Sequence, residues 1–148
     1  MVNTNNRLNP VSMRGRSWCI VDRKVFDRAI GLLKESLTLG ARESFFCSDN
    51  LIGWNRNLSF LRSDDFLNEL NNGKHSFEEK SIAWRTYSLL YFAQIASKVP
   101  GDFLELGCHT GYTASQILRK INFKLLRKHY YLYDQFNTQN FSEGMAMP

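Results

Sequence analysis

The stretch GDFLELGCHTGYTASQIL, residues 101 to 118, constrains this chain more than any other part of it. DFLEL, 102 to 106, is a short apolar run set between Pro100–Gly101 and Gly107, which predicts a buried strand. YTASQILRKI then puts Ala114, Ile117, Leu118 and Ile121 at helical spacing. HYYLYD, 129 to 134, is a second strand-like run closed by an acid. A strand, a helix and a strand in this order predict one parallel unit with a right-handed crossover. The expected fold class is therefore α/β.

Upstream the chain reads as helical. DRKVFDRAIGLLKESLTLG puts Val25, Ala29, Leu32, Leu33 and Ser36 on one face, a stripe that Phe26, Ile30, Leu33 and Leu37 widen, and predicts an amphipathic helix that stops at Gly40. Residues 41 to 62 show no sustained period and predict irregular chain anchored by Phe and Trp. Ser63 precedes Asp64 and Asp65 as a helix N-cap, with Gly73 after the helix end. Ser76 stands three residues before Glu79, the spacing of a capping box, and opens a helix expected to run to Lys98. Its second half is apolar nearly all round, so it requires cover on more than one side. These elements divide the chain into a flexible tail (1–21), a helical N-terminal region (22–100) and a partial Rossmann-like domain (101–148).

Composition narrows the class. Of 148 residues, 43% are hydrophobic and 22% charged, ordinary for a globular chain. The net charge of +5 raises the question of an anionic partner. The basic residues are spread along the chain, however, and the densest run, LRKINFKLLRKH, fits a solvated helix end. No nucleic-acid partner is expected. Cys19, Cys47 and Cys108 share no metal-ligand spacing and are odd in number, which fits reduced thiols in the cytoplasm. YSLLYFAQIA is too short and too interrupted to span a bilayer, so no membrane association is expected.

In an open parallel sheet, ligands bind beyond the carboxyl ends of the strands, where the turn into the next helix offers backbone N–H groups. Glu105 ends the first strand, Gly107 and Gly111 bracket the turn, and Asp134 ends the second strand. A dinucleotide turn requires G-x-G-x-x-G, because a pyrophosphate must sit against the helix N-terminus. Here His109 occupies the place of the middle glycine and Tyr112 that of the third, so the dinucleotide reading fails. An acid, a glycine and a second glycine four residues on suits a cofactor without phosphate, and matches the first motif of the class I methyltransferases. A bare glycine turn with no ligand is the competing reading, and Asp134, placed to accept ribose hydroxyls, is what weighs against it.

RTYSLLYFAQIASKVPGDFLELGCHTGYTASQIL followed by YYLYDQF resembles the macrocin O-methyltransferase family of class I enzymes. WNRNLSFL and SIAWRTY upstream also resemble that family, so the similarity runs from about Asp49 to Phe136. The resemblance implies methyl transfer from S-adenosylmethionine to a hydroxyl of a small molecule or glycan, aided by a divalent metal such as magnesium. It gives cofactor roles to Glu105, Gly107, Gly111 and Asp134, with His109 and Thr110 touching the cofactor through backbone N–H groups. Arg85 and Tyr87 are weaker candidates, more readily explained by packing or pairing among the helices. His75 and His129 carry no assigned role.

The resemblance also places the metal ligands and the general base on later strands, so no catalytic residue is assigned here. The sequence is expected to be the N-terminal part of such a domain, inactive and marginally stable by itself. A non-catalytic protein that keeps a nucleoside half-site, or that serves as a helical interaction module, is the alternative.

Overall fold

A carboxylate opens the first helix. The computed structural model describes residues 15–73 and 75–135. In it, the Asp22 side chain accepts the Val25 N–H at 3.0 Å, and α1 runs Arg23–Glu35. Of the expected face, Ile30 is buried with Phe45 and Cys47, and Phe26, Leu33 and Leu37 pack against them, whereas Val25 and Leu32 are exposed, so the buried stripe is the Phe26–Ile30–Leu33–Leu37 edge alone. The helix stops short of Gly40. The Ser36 hydroxyl donates to the Leu33 carbonyl at 2.7 Å, and Gly40 falls inside a separate short helix, α2 (Leu39–Glu43).

The stretch expected to be irregular contains a hairpin. β1 (Phe46–Ser48) and β2 (Leu51–Gly53) pair antiparallel, with Cys47 opposite Ile52. The two loop residues, Asp49 and Asn50, sit at φ +54° and +56°. Asp and Asn tolerate this left-handed region, and two such residues make the turn whose twist matches a hairpin. Part of the expected tail is tied to this hairpin. Gly15 donates to the Cys47 carbonyl at 3.0 Å, Asp49 to the Arg16 carbonyl at 2.8 Å, and Trp18 to the Asn50 side chain at 2.7 Å. Residues 15 to 18 are thus held, while 1 to 14 lie outside the described residues.

A 3-10 turn at Ser59–Arg62 leads to α3 (Asp64–Asn71), capped as expected by Ser63. The capping box at Ser76 and Glu79 is formed in both directions, at 3.1 and 2.7 Å. The helix it opens is nevertheless divided into α4 (Phe77–Ser81) and α5 (Ala83–Ala96). Ser48 donates its hydroxyl to the Ser81 carbonyl at 2.7 Å, which competes with the helical ladder at the break. Phe60 stacks on Tyr87 at 4.6 Å and meets Trp84 edge-on at 5.4 Å, and Phe46 meets Trp84 at 5.4 Å. Such pairs add about 0.5–1.5 kcal/mol each beyond the area they bury.

The chain divides into two compact units after Tyr91, within α5. Leu90 and Ala93 of α5 are buried, whereas Leu89, Tyr91, Phe92 and Ile95 are exposed, so among the described residues the burial of this apolar helix falls on one side. The second unit holds β3 (Phe103–Leu106), α6 (Tyr112–Lys120), a short α7 (Phe123–Leu126) within the basic run, and β4 (Tyr130–Tyr133). β3 and β4 pair in parallel, as expected, with Phe103 opposite Tyr130 and Glu105 opposite Leu132.

Because side chains alternate across a strand, Phe103, Glu105, Tyr130 and Leu132 share one half-buried face. Phe123 of α7 covers it, stacked on Tyr130 at 5.5 Å and edge-on to Phe103 at 5.0 Å. The other face, Leu104, Leu106, Tyr131 and Tyr133, is exposed, with Leu106 at 74%. The strand expected to be buried at 102 to 106 is thus covered on one face only among the described residues. Seven helices and two two-stranded sheets make the described chain mixed α/β. Among these residues no helix is long and apolar enough to cross a membrane.

Candidate ligand-binding turn at the strand ends

β3 ends at Leu106 and α6 begins at Tyr112, leaving a five-residue turn above the carboxyl ends of the two strands. Gly107 continues the ladder by donating to the Tyr133 carbonyl at 2.8 Å, and Gly111 closes the turn by donating to the Cys108 carbonyl at 2.7 Å. Both glycines sit at φ +76°, where a Cβ costs energy whatever the room around it. A Cβ built at either would meet no atom within 4 Å, so conformation and not crowding demands glycine here. The same open space leaves the backbone approachable by a ligand. Gly111 is also the N-cap of α6, without a side-chain cap.

His109 stands at φ +48° in the middle of the turn. Its backbone N–H donates to Asp134 Oδ2 at 2.5 Å. The resemblance gives this N–H to the cofactor; in the structure it donates to the carboxylate at the end of the neighbouring strand. Asp134 Oδ1 accepts the N–H of Gln135 at 2.7 Å. Thr110 is exposed beside His109.

Glu105 lies on the half-buried face and accepts the Tyr130 hydroxyl at 2.5 Å. Tyr130 was not legible as a site residue, because its partner is set by the parallel register and not by any spacing along the chain. Burial, and then the Glu105 carboxylate, push the Tyr130 phenol well above its ordinary range, so it stays a protonated donor. The structure brings Glu105, Gly107, His109, Thr110, Gly111 and Asp134 to one end of the β3–β4 pair.

Arg85 and Tyr87 belong elsewhere. Arg85 binds Asp49 through two bonds, Nε to Oδ2 at 2.8 Å and Nη2 to Oδ1 at 2.5 Å. Tyr87 stacks on Phe60 and meets Phe66 edge-on at 5.4 Å, as their packing reading expects. His75 stands 3.7 Å from Glu79, and His129 stands 3.6 Å from Asp102 at the opposite end of β4 from the turn. Among the described residues no three His, Cys, Asp or Glu side chains are gathered where one ion would be held. No protein-family model, no curated protein and no solved structure matches this chain.

Proposed function

We propose that the turn at 107 to 111, with Glu105 and Asp134, forms the nucleoside side of an S-adenosylmethionine site in an O-methyltransferase resembling the macrocin family, built on a Rossmann-like sheet. What carries the reading is the bond from the His109 N–H to Asp134, because it puts an acid at the end of the second parallel strand directly beside the glycine turn of the first. In nucleotide-binding sheets an acid at that strand end takes the ribose hydroxyls. The open space before Gly107 and Gly111 fits a ligand that approaches the backbone.

S-adenosylmethionine supplies an electrophilic methyl group, and a hydroxyl on a small molecule or glycan receives it. In this reading Asp134 accepts the ribose hydroxyls, Glu105 faces the cationic part of the cofactor, and the turn holds both at fixed separation. A divalent metal, where the reaction uses one, is expected from residues other than those described.

Calorimetry with S-adenosylhomocysteine tests it. Binding by the full chain is expected, weakened in Asp134→Ala by about 1 to 3 kcal/mol, the cost of leaving buried polar groups unpaired. Unchanged affinity in that variant removes the ribose assignment, and no binding by the unaltered chain removes the cofactor reading altogether.

A further inference from the structure

The Tyr130 side chain starts at the amino end of β4, opposite Phe103, yet its hydroxyl ends on Glu105, two residues further along β3. A tyrosine is long enough for this diagonal reach across a strand pair. The ring is held on the way. It stacks on Phe123 at 5.5 Å with an interplanar angle of 15°, and meets Phe103 edge-on at 6.0 Å. A ring clamped between two aromatics has few rotamers left, so its hydroxyl is a fixed donor.

The acceptor is different in kind. A glutamate side chain has three rotatable bonds, and at the end of a strand beside an open turn it is free to choose among them unless something chooses for it. A bond from a protonated phenol to one oxygen, Oε2, restricts the carboxylate to the orientations that keep it, with Oε1 as the second acceptor of the group. This matters only if a donor to that second acceptor comes from a ligand.

Resting on the cofactor reading above, we propose that Tyr130 is a positioning residue that aims the Glu105 carboxylate at the cationic amino-acid end of S-adenosylmethionine. Asp134 and the turn then take the nucleoside, and the Tyr130–Glu105 pair takes the other end. The site is divided between the two strands in a way that predicts which half of the ligand feels each substitution.

Two ligands separate the halves. S-adenosylhomocysteine carries the nucleoside and the ammonium-bearing chain, whereas 5′-methylthioadenosine carries the nucleoside without the ammonium. Calorimetry on the full chain is expected to show S-adenosylhomocysteine binding weakened about 5- to 10-fold by Tyr130→Phe, less than the full worth of a hydrogen bond to a charged group because the carboxylate stays and loses only its aim. Binding of 5′-methylthioadenosine should stay within about 2-fold, because a phenylalanine keeps the stack and the nucleoside half is untouched. Glu105→Gln breaks the arrangement from the other side and should show the same ligand pattern, and the double variant should lose little more than Glu105→Gln alone.

An equal loss for both ligands in Tyr130→Phe would reduce Tyr130 to a packing residue and overturn the proposal. So would full affinity in Tyr130→Phe while Glu105→Gln weakens binding. If Tyr130→Phe fails to fold, Glu105→Gln decides alone: losses on both ligands, or on neither, overturn it. Binding of neither ligand by the unaltered chain sinks the cofactor reading itself, and this inference with it, which marks that failure apart from the others.

Discussion

The His109 backbone N–H and the Asp134 carboxylate meet at 2.5 Å, joining the turn after β3 to the end of β4 across 25 residues of sequence. The bond gives Asp134 a structural task as well as a place in the candidate site. It stabilises a residue held at φ +48°, a region where a non-glycine residue needs support from outside its own backbone.

Asp134→Ala and Asp134→Asn should therefore differ. Alanine removes the acceptor and is expected to lower the unfolding free energy by about 1 kcal/mol, while asparagine keeps a carbonyl for the His109 N–H and should cost less than half of that. Urea titration of each variant measures the difference, and equal losses would show that the bond does not support the turn.

The turn glycines make a second case. With open space around their Cβ positions, the cost of Gly107→Ala or Gly111→Ala is conformational alone, about 1 to 2 kcal/mol. Gly111→Asn should cost less than Gly111→Ala, since asparagine visits the left-handed region more readily. Denaturation midpoints that place alanine above asparagine would contradict this account.

Gly15 and Gly31 should respond in opposite directions. A Cβ on Gly15 would lie 2.0 Å from Ser48 Oγ and 2.5 Å from Ser81 Cβ, so Gly15→Ala is expected to destabilise by about 1 to 3 kcal/mol through forced repacking. Gly31 sits inside α1 with nothing within 4 Å of that position, and Gly31→Ala should stabilise by about 0.5–1 kcal/mol by restricting the unfolded chain. Chemical denaturation of the two variants side by side checks both signs.

Asp49 gives a pH dependence. Its side chain is 9% exposed, and burial raises its carboxyl above the ordinary value against the opposing pull of Arg85. Between the unfolded and folded pKa values the folded state holds more protons than the unfolded one, so stability falls as pH rises through the window just above 3.8. Asp49→Asn should flatten that slope and still permit φ +54° in the hairpin turn. At neutral pH Arg85→Ala leaves a covered carboxylate without its partner; because the Arg85 head is 57% exposed and water replaces part of it, the loss should be about 1 kcal/mol. A slope unchanged in Asp49→Asn would locate the titration elsewhere.

The limits of sequence reading show at particular residues. The Ser63 cap, the Ser76–Glu79 capping box and both parallel strands were legible because each rests on neighbours a few positions apart. The hairpin at 46 to 53 was missed although Asp49–Asn50 carries its turn chemistry, because three-residue strands are too short to show a period. The break at Ile82 was missed for another reason: the Ser48 hydroxyl that competes for the Ser81 carbonyl arrives from 33 residues away.

The candidate site divides along the same line. The amino-acid order by itself determined the strand, the glycine turn and the helix, and it determined that acids stand at positions 105 and 134, since φ preference and apolar spacing are local properties. Which partners those acids take was decided only by the tertiary structure. The parallel register laid Tyr130 diagonally across from Glu105 and set Asp134 against the His109 N–H, and a register is a contact between segments that no single segment encodes.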